Sequence, residues 1–182
     1  MNAWIESTFA NVIKMGWDTS YGWKIAIEST IYMTFWSFVF GGLLGLLAGL
    51  LLVLTGPRGV LENKYVFWIL DKVASLFRAI PFIILLAVIS PVTKLIVGKS
   101  IGMTAALVPL SLSVFPFYAR QVQVVLSEMD RGVIEAAQAS GATIWDIIHV
   151  YLREGLPDLI RVTTLTLISL IGYTAMAGAI GS

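Results

Sequence analysis

Few residues in this chain have the types and spacing that catalysis requires. His149 is the single histidine, and no carboxylate cluster stands near it at ligand spacing. It reads as a solvated polar side chain rather than a general base or a metal ligand. The chain has no cysteine, which removes thiolate nucleophiles, disulfides and cysteine metal sites. Gly98-Lys99-Ser100 imitates the end of a phosphate-binding loop, but such a loop needs another glycine at position 93, which is Thr. No catalytic residue and no metal ligand is assigned. Arg78 is a different case, because it borders an apolar run where a charge is costly and often functional. Asp71 lies two turns earlier on about the same face, so an ion pair is one reading; the other is Arg78 snorkelling toward headgroups or water. The chain of intramembrane carboxylates that a proton-driven carrier would use is missing from the sequence.

Charge is concentrated in residues 120–161, and the local chemistry there implies two helices. Asp130 is an N-cap for a short helix beginning at Arg131 and ended by Gly141 at the C′ position. Thr143 opens the next, with Asp146 three residues on in a capping-box arrangement. Ala136, Ala137, Ala139, Ser140 and Gly141 make the first helix slim, while Val133, Ile134 and Glu135 give it an apolar edge beside one acid. A slim helix of this kind enters a groove on a partner or packs on its own bundle, and the residues alone leave both open.

The composition says what must position these helices. Of 182 residues, 58% are hydrophobic and only 13% charged, with a net charge of +1 and a mean hydropathy of +0.87. A soluble domain carries roughly twice that share of charge, so this is a membrane protein, and its near-neutral balance offers no field for nucleic acid. Uncharged runs mark four transmembrane helices: Ser29 to Pro57, Ala79 to Thr93, Ser100 to Ala119 and Val162 to Ser182. The second run is short at 15 residues, and is expected to continue a helix that begins near Tyr65 in the interface. Arg58, Lys64, Arg120, Arg131, Arg153 and Arg161 gather on one side and Lys14, Lys24, Lys94 and Lys99 on the other. That bias puts the 120–156 segment in the cytoplasm and the N-terminus outside.

Glu6, Lys14 and Asp18 interrupt any signal-peptide core. Ile5, Phe9, Val12, Ile13 and Gly16 instead share one face, so residues 1–24 are expected as an amphipathic interfacial helix, with residues 25–182 forming a single transmembrane domain. Gly41, Gly45 and Gly49 recur every four residues and allow close backbone approach, read here as packing within one chain in preference to a dimer contact. Pro81, Pro109 and Pro116 lie within spans, where each can kink its helix.

Glu135-Ala136-Ala137 followed by Gly141 resembles the cytoplasmic coupling motif of ABC importer permeases. The stretches Phe77 to Leu86, Ile96 to Gly102 and Ile171 to Met176 are similar to the methionine-import group, and the likeness runs from about residue 20 to the end. The resemblance implies an all-α ABC type I importer permease fold in a bacterial plasma (inner) membrane. It implies a second copy of the permease, two cytoplasmic ABC ATPase subunits and an extracytoplasmic substrate-binding protein. ATP and Mg would be held by the ATPase, with no cofactor on this chain. Residues 131–141, chiefly Val133, Ile134, Glu135, Ala136, Ala137 and Gly141, would dock on the ATPase within a coupling segment at 130–153. Tyr173, Thr174, Met176 and Arg78 are candidates for the translocation pathway of an amino acid, with methionine the substrate that the resemblance implies. Other readings are another small nutrient, or a membrane scaffold that transports nothing. The family pattern places a Leu-Pro pair shortly after the second cytoplasmic helix; here Leu152 is followed by Arg153, and Pro157 is the expected stop. Family members continue into another transmembrane helix, so a further one is expected after Ser182.

Overall fold

The computed structural model describes Gly16 and residues 22–180, all helical apart from turns. The interfacial helix expected over residues 1–24 falls almost wholly outside the described residues. Those described form α1 (Trp23–Thr55), α2 (Lys64–Ala79), α3 (Phe82–Val97), α4 (Met103–Ser127), α5 (Arg131–Ala139), α6 (Ile144–Glu154) and α7 (Leu156–Ile180).

By length and composition α1 and α7 can each cross a membrane, and α2 with α3 passes only as a bent pair. At 25 residues α4 also has the reach, about 37 Å at 1.5 Å per residue. It is less apolar, because Thr104, Ser111, Ser113 and two prolines interrupt it. Protein rather than lipid covers much of it, with buried residues spread from Ala105 to Leu126. The helix runs through Pro109 and Pro116 without a break.

The glycine repeat explains how α1 meets α4. A Cβ on Gly41 would strike the Ser111 backbone, one on Gly45 would lie 2.9 Å from the Phe115 carbonyl oxygen, and one on Gly49 2.6 Å from Val122 Cβ. The stripe therefore serves packing within the chain, by letting two backbones close up. Facing positions rise together along the two helices, so α1 and α4 run parallel. Parallel spans start on the same side of the membrane, and the segment between them must carry the chain back across. That makes α2 and α3 one broken crossing rather than a re-entrant loop. Helix α7 runs the other way: Thr163 meets Tyr118 at 2.6 Å, while Ala177 shares a small cavity with Ala105 and Ala106.

The second span is not the continuous helix that the sequence led us to expect. Helices α2 and α3 cross at 108°. Pro81 supplies no N–H and pushes the preceding Ile80 into an extended conformation, with φ −84° and ψ 119°. Helix α3 then restarts, its first turn closed by the Leu85 N–H on the Pro81 carbonyl at 3.0 Å.

The bend also decides the fate of Asp71. Its partner is Arg120 of α4, not Arg78. Arg120 donates further to Gln123 at 2.7 Å and to Ser75 at 3.2 Å. The half-buried guanidinium on α4 takes the carboxylate because a partly desolvated charge requires an opposite one. Arg78 is exposed and has no ion pair among the described residues.

Helix α4 extends to Ser127, so the first part of the expected cytoplasmic segment is its last two turns. Gly155 alone joins α6 to α7, and a Cβ there would meet the Leu126 side chain and lie 2.6 Å from the Tyr151 carbonyl oxygen. Pro157 is no stop. It sits in the first turn of α7, where its missing N–H costs nothing. The Leu-Pro pair is therefore Leu156-Pro157, and Gly155 makes the break.

Replacing Gly49 by Leu should force α1 away from α4, at a cost of about 1–3 kcal/mol for overpacking. Thermal unfolding in detergent should show a lowered midpoint, whereas Leu43→Ala, on an exposed face of the same helix, should leave it almost unchanged.

Candidate functional site

Helices α5 and α6 form a hairpin at the end of the bundle where α4 finishes and α7 begins. Its turn is built as the residue types require. The Asp130 side chain accepts from the Gly132 N–H at 2.8 Å and starts α5. At the other end the Ala142 N–H reaches the Ala137 carbonyl at 3.1 Å and the Gly141 N–H the Gln138 carbonyl at 3.0 Å. This is a Schellman closure with Gly141 in the left-handed region at φ +80°. The Thr143 N–H then donates to Asp146 at 2.8 Å and the Thr143 hydroxyl to the same carboxylate at 2.7 Å. The Asp146 N–H returns to the Thr143 hydroxyl, completing the capping box that opens α6.

One residue of α5 is buried against the protein. Ile134 is 8% exposed, and it is the sole buried residue of that helix. The apolar edge read from the sequence is thus split: Ile134 turns inward, while Val133 at 39% faces out. Glu135, Ala136, Gln138, Ala139, Ser140 and Gly141 are exposed and Ala137 is half-buried. Around Gly141 the space is open, with no atom within 4 Å of where a Cβ would stand. Glu135 has no ion-pair partner among the described residues. The surface presented is therefore a slim ridge of small side chains carrying one carboxylate.

Beside it stands Trp145, 76% exposed in the first turn of α6. Sequence reasoning passed over this residue. The available signal was an aromatic at a position the capping box turns away from the bundle, since Ile147 and Tyr151 take the buried face. Such a solvated indole is a characteristic anchor for partners.

The pathway candidates separate. Tyr173 is half-buried and stacks on Phe82, ring centroids 4.9 Å apart, just after the α2–α3 break. Thr174 is buried and spends its hydroxyl on the Ile171 carbonyl at 2.7 Å. Met176 is exposed. The structure brings Tyr173 to the break that follows Arg78, and does not gather the four into one site.

The Thr143 hydrogen bonds, side chain first and then backbone, hold the Asp146 carboxyl below its ordinary value of 3.8, with a smaller contribution from His149. Because the native value is depressed, the capping contribution is complete above 3.8 and is lost as pH falls through the lower native value. Amide exchange at residues 143–147, corrected for intrinsic rates, should accelerate in that acid window. Asp146→Asn should remove the pH dependence.

Residues 41–182 match the family described as binding-protein-dependent transport system inner membrane component. A probable D-methionine transport system permease protein MetI of Pasteurella multocida is 48% identical over 153 residues, covering 84% of this chain and 70% of that protein. The D-methionine transport system permease protein MetI of Yersinia pestis is 47% identical over 159 residues, covering 86% and 73%. A solved structure of the MetNI methionine ABC transporter in an inward-facing conformation superimposes with a TM-score of 0.85 at 40% identity, covering all of this chain and 78% of that one. A second crystal form gives 0.84 at 41% identity, covering 97% and 77%. The broken span, the parallel α1 and α4 and the capped hairpin thus belong to a shared design: the chain is a member of the binding-protein-dependent transport system inner membrane component family.

Proposed function

We propose that this chain is the membrane-spanning subunit of an ATP-driven methionine importer and that α5 is its handle for the ATPase. The observation that carries the reading is the exposed ridge from Glu135 to Gly141, on a helix whose one buried residue is Ile134. It is supported by relatives and solved structures named for methionine transport, at 40–48% identity. Two copies of the chain enclose the pathway, with the α5–α6 end in the cytoplasm against two ATPase subunits. A binding protein delivers methionine at the opposite face. ATP and Mg belong to the ATPase, so the chain itself performs no bond chemistry. Its task is to convert closure of the ATPase pair into movement of its spans, through a difference in how tightly the two conformations bind.

The roles of the ridge follow from size and charge. Glu135 anchors the helix against a cation on the partner, while Ala136, Ala137 and Gly141 let the two backbones approach. Val133 and Trp145 add apolar area at the rim. In the spans, Tyr173, Thr174 and Met176 with Arg78 are the proposed pathway residues, of which Tyr173 is tied most directly to the break in the second span.

Glu135→Lys, co-expressed with the ATPase and binding protein, should still insert in the membrane yet lose methionine uptake by roughly tenfold or more, the scale of a reversed interfacial charge. Unchanged uptake would sink the anchoring role. At Gly141 two variants separate shape from bulk. Asn tolerates the left-handed region and should retain ATPase capture, whereas Trp should abolish it.

A further inference from the structure

The hairpin is not the sole feature at its end of the bundle. Between α5 and the turn after α1 lies a cleft of about 410 Å³, walled by Arg58 on one side and by Arg131, Glu135 and Gln138 on the other. Leu126 and Ile134 line it as well. Arg58 is the one non-glycine residue among those described with a positive φ, at +65°. Its backbone is fastened on both sides: its N–H donates to Glu62 at 2.9 Å, and its carbonyl is approached by the Arg131 guanidinium at 3.5 Å. Strain of this kind persists where the surroundings over-determine the backbone, and it concentrates at functional positions. Neither guanidinium has a carboxylate within ion-pair distance among the described residues. Two cations therefore line one cleft; Glu135 is the one carboxylate of that lining and pairs with neither, so a carboxylate arriving between the arginines would be favoured.

We infer that the turn after α1 is a second docking element, and that this cleft receives an acidic side chain of the ATPase between Arg58 and Arg131. The inference rests on the proposed function, because it needs an ATPase on this face. Its charge pattern is specific. The partner surface must offer a cation opposite Glu135 and an anion opposite the two arginines, which fixes the register of docking as well as its strength. A carboxylate bridging Arg58 and Arg131 would also tie the end of α1 to α5, so the ATPase would hold two parts of the bundle at once.

The chain lacks cysteine, which makes it a ready background for site-directed cross-linking. Single cysteines at Arg58, at Glu135 and, as a remote control, at Leu95 are introduced into the full chain co-expressed with its ATPase. A short thiol cross-linker is applied in membranes, and the joined peptides are identified by mass spectrometry. Positions 58 and 135 should both capture the ATPase and position 95 should not, with an Asp or Glu adjoining the site reached from position 58. Arg58→Glu should then reduce ATP-dependent methionine uptake by the assembled complex at least tenfold, and changing that acid to Lys should restore it. The Arg58 side chain is exposed and has no ion pair among the described residues, so the variant should fold, which its thermal unfolding midpoint in detergent checks.

Capture at 135 without capture at 58 overturns the second docking element and leaves the proposed function standing. Capture at neither position overturns the proposed function itself. If Arg58→Glu loses activity and the partner's Lys variant fails to restore it, the acidic occupant is wrong. Restoration instead by varying anionic lipid content would assign the cleft to a headgroup.

Discussion

The close approach of α1 and α4 is the constraint on which the rest of the molecule depends. Where a Cβ at Gly41, Gly45 or Gly49 would collide with α4, its absence lets the helices lie backbone to backbone. In lipid, where burying apolar side chains gains little, such contact is a main source of helix association. With α1 seated, Tyr118 becomes a junction. Its ring packs against Phe38 of α1, centroids 5.5 Å apart, and its hydroxyl bonds Thr163 of α7. Three helices are thereby joined at one residue of α4, and the α5–α6 hairpin hangs from the end of that same helix.

The broken span is secured differently. Helix α2 presents many of its apolar side chains outward, Tyr65, Trp68, Ile69 and Leu76 among them, and little of it is buried. What ties it to α4 is polar: Asp71 and Ser75 on Arg120. A directional ion pair resists rotation about the α4 axis where a smooth apolar contact would permit it. The break at Pro81 and the pair at Asp71 are then two aspects of one arrangement. The first frees α2 from the line of α3, and the second fixes where it goes.

Much of this was legible in the sequence, and the reasons for success and failure are local. The N-cap at Asp130, the left-handed Gly141 and the Thr143–Asp146 box depend on a few neighbouring atoms, so residue type alone determines them. The glycine stripe was legible for a related reason, since a spacing of four names the face that must be approached. Helix direction, by contrast, is a property of pairs of segments. Nothing in residues 65–93 by themselves shows that Asp71 will find Arg120 from a different helix rather than Arg78 from its own. The Leu-Pro pair was misplaced because Leu152 was weighed in isolation, whereas Gly155 ends α6 and Leu156-Pro157 starts α7. Trp145 escaped notice because exposure depends on the side of α6 that the bundle covers. The division of Val133 from Ile134 has the same origin.

The single-residue joint at Gly155 has a mechanical meaning. It is buried, with Leu126 and the Tyr151 carbonyl filling the space beside it, so the elbow between α6 and α7 has almost no slack. Two stiff rods meeting at such an elbow behave as a lever. At 1.5 Å per residue the short arm, α6, is about 16 Å long and the long arm, α7, about 37 Å. A force on the hairpin that turns the elbow as one body moves the far end of α7 through more than twice the distance travelled at the point of application. Arms of these proportions trade force for stroke: a small closure at the hairpin end would become a wider sweep at the opposite face of the bundle.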